Sequence, residues 1–207
     1  MTGFGKQLVE STHQPWAEHY LRYKLLKKII KLIKVAEEQG YVPIATVQKK
    51  LKAENLNHEA GLFADERQRL EGQAHGAGDS EGLSRIQLEA FYEELLVIEH
   101  ARFKSFSKSQ WQTMADAEAA AGAAAGNTPE AIRARMAVRR NSLEDRRLLL
   151  SFQDIQYVAF FKIVKKFDKV TGRKLLPEIM EKLDTEIADG EFSGVSTQAP
   201  LHHNLTG

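Results

Sequence analysis

The chain has 207 residues, 43% of them hydrophobic, and 29 basic against 28 acidic side chains give a formal net charge of +1. That length and apolar content suit one sizeable folded domain with tails, and exclude global disorder and a generally basic nucleic-acid coat. Cysteine is absent, which excludes disulfides, thiol nucleophiles and cysteine zinc sites. No run nears the ~18 apolar residues of a membrane-spanning helix. The opening MTGFGKQLVEST lacks the apolar centre of a secretory signal. The chain as given is therefore expected to be soluble, intracellular and without a membrane span.

Phe4 and Leu8 stand one helical turn apart. Pro15, preceded by Thr12 and His13, suits the first turn of a helix. Pro15 to Gln39 is predicted as one helix closed by Gly40. Its apolar residues are Trp16, Tyr20, Leu25, Leu26, Ile29, Ile30, Leu32 and Ile33. Arg22, Lys24, Lys27, Lys28, Lys31 and Lys34 are its cations, and its acids (Glu18, Glu37, Glu38) lie near the ends. Tyr41 to Ala45 is a brief extended piece carrying Pro43. Thr46 to Glu71 reads as a weak helix or an irregular connector, and Gly72 to Gly82 as a loop by composition.

Leu83 to about Ala121 is a strong helix with a capping box at Ser84 and Gln87. Leu88, Phe91, Leu95 and Ile98 form its apolar stripe, followed by Phe103 and Phe106. Ala115 to Gly126 is low in complexity and either extends that helix or forms a flexible link. Thr128-Pro129-Glu130 combines a capping hydroxyl, a first-turn proline and an early acid. The helix it starts runs to about Lys169, spans ~40 residues and ~60 Å, and is closed by Gly172. Leu175 to Ala188 is a short amphipathic helix, and the polar tail beyond Gly190 is expected to be disordered. The fold class is all-α: N-terminal helices packed on a bundle of two long antiparallel helices, with a short C-terminal helix.

Within Ser151 to Gly172, Ile155, Ala159, Ile163 and Phe167 repeat every four residues as a core stripe. Lys162, Lys165, Lys166 and Lys169 repeat at i, i+3, i+4 and i+7 as a second. Four ammonium groups on one face repel by a few tenths of a kcal/mol per pair, and only Asp168 is near enough in sequence to offset them. The bland reading is a solvated face. The sharper one is a polyanion site, the more so if the basic centre of the first helix meets this stripe. Each basic face also has a tyrosine near it, Tyr23 beside Lys27 and Tyr157 one turn before Lys162, able to donate a hydrogen bond to phosphate. A search for enzyme chemistry finds no phosphate-cradling glycine loop, no HExxH and no nucleophile elbow. His202-His203 in the polar tail lacks a rigid metal geometry. Glu37-Glu38 and Glu93-Glu94 are read as surface acids.

Gly5-Lys6 with Leu8, then Pro15-Trp16, then Tyr20-Leu21-Arg22-Tyr23-Lys24-Leu25-Leu26-Lys27-Lys28, resembles the opening of the SPX domain family. Phe91-Tyr92-Glu93-Glu94-Leu95 with Phe103-Lys104 is similar to its third helix, and Phe152 through Gly172 to its fourth. The resemblance covers about residues 1 to 190, with residues 191 to 207 left as a tail or linker. It implies an N-terminal helical hairpin on a long-helix bundle that senses inositol hexakisphosphate or inositol pyrophosphates as reporters of phosphate status. It implies no catalytic residue, no metal and no cofactor. It further implies ligand contacts at Tyr23, Lys27 and Lys165, with Lys162, Lys166 and Lys169 beside them; Lys6, Lys24 and Lys28 are candidate additional contacts. The implied partner is a transcription factor or a fused enzyme or transporter domain, not nucleic acid. The implied location is the cytoplasm or nucleus, or the cytosolic face of a membrane protein of which this is a part. Non-specific binding to nucleic acid or an anionic membrane is the alternative.

The family usually begins Met-Lys-Phe-Gly, and that lysine and the amino end help close its ligand site. Here the start is Met1-Thr2-Gly3-Phe4-Gly5, with one residue more and no lysine at position 2. A weaker site is expected, with Lys6 a partial substitute. Thr2→Lys should then raise affinity for inositol hexakisphosphate in calorimetric titration; unchanged affinity would remove the amino end from the account.

Overall fold

The computed structural model describes residues 3–52, 82–123, 126 and 128–188. The connector after Lys52, the glycine-rich stretch 72–81 and the tail beyond Gly190 lie outside the described residues. Helix α1 (Gly3–Glu10) is followed by a 3-10 turn (Gln14–His19) and helix α2 (Tyr23–Gln39). Strand β1 (Tyr41–Pro43), helix α3 (Ile44–Lys52) and strand β2 (Gly82–Ser84) come next, then the long helices α4 (Arg85–Ala123) and α5 (Pro129–Thr171), and finally α6 (Leu176–Ala188). The all-α class holds. Its only sheet among the described residues is the antiparallel pair β1–β2, with Val42 opposite Leu83. Gly82 is required there: a Cβ would stand 2.8 Å from the Val42 carbonyl oxygen and overlap the Tyr41 ring.

The long helices begin and end as their sequences dictate. At the start of α4 the Ser84 N–H donates to Gln87 Oε1 (2.9 Å) and the Gln87 N–H to Ser84 Oγ (3.4 Å), a reciprocal cap. The Thr128 hydroxyl accepts the Ala131 N–H (3.2 Å) ahead of Pro129. Gly172, at φ 76°, ends α5 in the left-handed conformation that a Cβ disfavours. The alanine-rich stretch continues α4 as far as Ala123. Three contacts fix the antiparallel register of α4 and α5. Tyr92 stacks on Phe167 at 4.1 Å, Phe103 meets Phe152 at 5.9 Å, and Arg146 reaches Glu118 at 2.9 Å. The Tyr92 hydroxyl also donates to the Ile163 carbonyl (3.2 Å). Against this pair α2 buries Leu26, Ile29, Ile30, Leu32 and Ile33 completely or nearly so. Helix α1 lies beside α2, with Phe4 edge-on to Tyr23 at 5.3 Å, giving the expected N-terminal hairpin.

One prediction is corrected. Pro15 to Gln39 is not a single helix, because the chain is extended at Tyr20 (ψ 147°) and off-helix at Arg22 (ψ 57°). Side chains of the bundle replace the missing helical bonds. Gln156 Oε1 accepts the Leu21 N–H (3.0 Å) while Gln156 Nε2 donates to the His19 carbonyl (3.2 Å). Glu99 Oε2 accepts the Arg22 N–H (3.0 Å), and its other oxygen takes the Arg22 guanidinium and Arg102. Arg22, read as part of the basic face, is instead inside, its side chain 4% exposed beside a Glu99 side chain at 2%.

Glu99→Ala removes both the acceptor of a buried N–H and the carboxylate facing a buried guanidinium. It should cost about 3–5 kcal/mol in urea unfolding, whereas the exposed Glu38→Ala should change little. A loss near that of Glu38→Ala would mean that other contacts hold the break.

Candidate functional site

Helix α2 lies along α5 with its lysines toward those of α5. The ammonium of Lys166 is held below the ordinary lysine value, first by partial burial and then by Lys27, Lys31 and Lys34 of α2. Cations from two helices therefore converge. Lys27, Lys31 and Lys34 stand at i, i+4 and i+7, one stripe of α2, and Lys166 is half-buried against it. Lys165 and Lys169 are exposed, and Lys162 is half-buried. Lys24 is exposed and Lys28 half-buried on α2, but neither is among the groups that shift Lys166.

Phe4 and Tyr23 extend this face. The Lys162 Nζ sits 4.0 Å from the centre of the Phe4 ring, whose edge contact with Tyr23 joins α1 to α2. Burial pushes the Tyr23 phenol above its ordinary value, so it stays a neutral hydrogen-bond donor at physiological pH. Lys165 lies 5.5 Å from the ring of Phe161 on its own helix. Lys6 turns away, pairing with Glu10 at 3.6 Å on the exposed side of α1.

Two expectations about neighbouring groups fail. Asp168 makes no ion pair with the lysines among the described residues: its two oxygens accept the N–H groups of Leu175 (3.0 Å) and Leu176 (2.9 Å), capping the start of α6. Tyr157 does not serve the lysine face either. Its hydroxyl donates to Asp184 of α6 (3.0 Å), and burial with that bond pushes its pKa up to about 12. Both groups dock α6, leaving the lysine stripe without the carboxylate that its sequence offers. The acid pairs are also more engaged than read. Glu93 pairs with Arg173 (2.7 Å), and Glu37 with Arg85 (2.7 Å).

Lys31, Lys34 and Phe4 were not picked out as site residues. The two lysines carry the same spacing signal as the α5 stripe. The place of Phe4 follows only from how α1 docks, which no local pattern encodes.

Residues 145–183 match the family model of the SPX domain. The matched stretch contains Lys162, Lys165, Lys166 and Lys169, and it agrees with the resemblance of Phe152 through Gly172 to the SPX family. No curated protein and no solved structure matches the chain.

Convergence of like charges has a cost that can be measured without a ligand. The folded-state pKa of Lys166 lies below its unfolded value, so its charge destabilises the fold while it is protonated. The strain eases as pH rises through that folded value. Lys31→Met with Lys34→Met should therefore stabilise the ligand-free protein by a few tenths of a kcal/mol at neutral pH and low salt. The gain should fade in high salt and at high pH. Destabilisation under the first condition would show that these lysines do not oppose Lys166.

Proposed function

We propose that this chain is a sensor module whose α2–α5 face binds inositol polyphosphates or inositol pyrophosphates. The match of residues 145–183 to the SPX domain supports the class, since SPX domains are generally associated with phosphate homeostasis and inositol polyphosphate sensing. SPX domains are regulatory modules, generally non-enzymatic. The observation that carries the reading for this chain is the effect of Lys27, Lys31 and Lys34 on Lys166. Ammonium groups from two helices close enough to lower Lys166 in this way favour an anion able to neutralise several of them at once.

In this reading Lys27 and Lys31 of α2 and Lys162, Lys165, Lys166 and Lys169 of α5 hold separate phosphates around one ring, with Tyr23 donating a neutral bond. Lys34 extends the face toward the ends of both helices. Lys24 and Lys28 flank it, and Lys6 enters only by leaving Glu10. A single orthophosphate, with about two charges at neutral pH, engages too few ammonium groups to relieve the repulsion. The loaded surface then controls a transcription factor or an attached enzyme or transporter domain. Among the described residues no helix is long and apolar enough to cross a membrane. Cytosol, nucleus or the cytosolic side of a membrane is where such a ligand and face would meet.

Calorimetric titration at physiological salt with inositol hexakisphosphate, an inositol pyrophosphate, sulfate and orthophosphate tests this. Tight binding of the inositol phosphates and far weaker binding of the simple anions is expected. Lys27→Ala and Lys166→Ala should each cost about tenfold or more, the counterpart of about 1.5–3 kcal/mol for a charged hydrogen bond, and Tyr23→Phe less. Equal weak binding of every anion with a steep salt dependence would make the face a general basic surface.

A further inference from the structure

The first half of α5 carries a pattern that the anion site does not use. Met136, Leu143 and Leu150 are exposed at 66%, 60% and 44% and recur every seven residues; Ile132, one turn before Met136, is exposed at 43%. At 100° per residue these four fall within about 40° of helix arc. The side chains that α5 buries here, Ser142 and Leu149, lie about a quarter-turn away, on the side facing α4. The apolar stripe is therefore not part of the α4–α5 seam. The facing end of α4 is alanine-rich (ADAEAAAGA), and such short side chains cannot reach round α5 to cover it.

A second heptad runs beside the first. Arg133, Arg140 and Arg147 also recur every seven residues, and all three are exposed. With Met136, Leu143 and Leu150 at position a, these arginines occupy position e, the charged flank that selects a partner helix in a coiled coil. They make no ion pair or hydrogen bond among the described residues. The arginines on the inner side differ: Arg146 pairs with Glu118 (2.9 Å), and Arg135 donates to the Gly126 carbonyl (3.1 Å).

The flank decides the occupant. An antiparallel second copy would set e against e, arginine against arginine. A parallel copy would need position g, where Ser142 and Leu149 already face α4. A helix with carboxylates beside an apolar heptad seam meets both stripes at once. We propose that residues 132–150 of α5 dock an acidic amphipathic helix of a partner protein, with its seam on Met136, Leu143 and Leu150 and its carboxylates on Arg133, Arg140 and Arg147. Leu150 precedes Lys162 by about 18 Å of helix at 1.5 Å per residue, so this surface is separate from the basic face and the two can be filled together.

Fluorescence anisotropy with the full chain tests it, using two synthetic three-heptad peptides that share a leucine seam and differ in glutamate or lysine flanks. The glutamate peptide should bind at least tenfold more tightly than the lysine peptide. Met136→Glu with Leu143→Glu should abolish that binding. Arg133→Glu, Arg140→Glu and Arg147→Glu together should reverse the preference. Every replaced side chain is exposed, and the reversal is itself proof of a folded surface. Equal binding of both peptides, binding of neither, or no reversal would overturn the proposal. Dimers in sedimentation that Leu143→Glu dissolves would assign the stripe to a second copy instead. Acidic-peptide binding that the full chain lacks and a chain without residues 53–81 gains would assign it to that segment. Either result also overturns the proposal.

Discussion

Buried polar groups at one chain break set the geometry of everything that follows. Between His19 and Arg22 the backbone leaves the helix, and its N–H and C=O groups must find partners away from water. Gln156 supplies two of those bonds and Glu99 a third, together with a carboxylate for the Arg22 guanidinium. One partner comes from each long helix, so the first turn of α2 is pinned to both. With its start fixed and Leu26, Ile29, Ile30 and Ile33 in the core, α2 has one rotation available. In that rotation Lys27, Lys31 and Lys34 face Lys166. A break that looks like a local irregularity thus determines where the basic face lies.

The far end of the same interface is held by charge. Arg85 bonds Glu37 of α2 (2.7 Å), Glu89 of its own helix (2.6 Å) and the Thr171 carbonyl at the end of α5 (2.9 Å). Arg173 joins the same buried Glu89 at 3.2 Å. The lysines therefore lie between two clamps that neither they nor a ligand contributes to. Surface ion pairs are each worth about 0–1 kcal/mol, but Glu89 is nearly buried and shared by two guanidiniums, where losing a partner costs more. Repulsion among ammonium groups, a few tenths of a kcal/mol per pair, is too weak to open a face fixed in this way.

Much of this was legible because it is local. Ser84 with Gln87, Thr128-Pro129 and Gly172 mark helix ends by rules of one turn's reach, and each stands where those rules put it. Of the Ile155, Ala159, Ile163 and Phe167 stripe, the last three lie in the core and Ile155 packs half-buried against it. What was hidden depends on partners distant in sequence. Nothing in Tyr20-Leu21-Arg22-Tyr23 breaks a helix by propensity; the break exists because Gln156 and Glu99 wait for it. Asp168 looks like a counter-ion for its lysine neighbours until α6 offers it two free N–H groups. Tyr157 sits one turn from Lys162 yet faces the other way, toward Asp184. The β1–β2 pairing joins strands separated by most of forty residues, beyond the reach of any hairpin signal. Of the site, the α5 stripe was plain in its spacing, while Lys31 and Lys34 became members only once α2 was placed against it.

Helices α2 and α5 share a direction: one starts beside Gln156, and both finish near Arg85. Their peptide dipoles therefore add, with both negative poles at the Lys34 and Lys169 end of the face. Lys169 lies in the last turn of α5, where a pole of that sign favours a cation by about 0.3–1 kcal/mol. Part of what steadies the Lys169 ammonium is thus backbone polarisation. Asp168 is committed to the first N–H groups of α6, so at Lys169 the helix-end field acts where a carboxylate of its own helix does not pair.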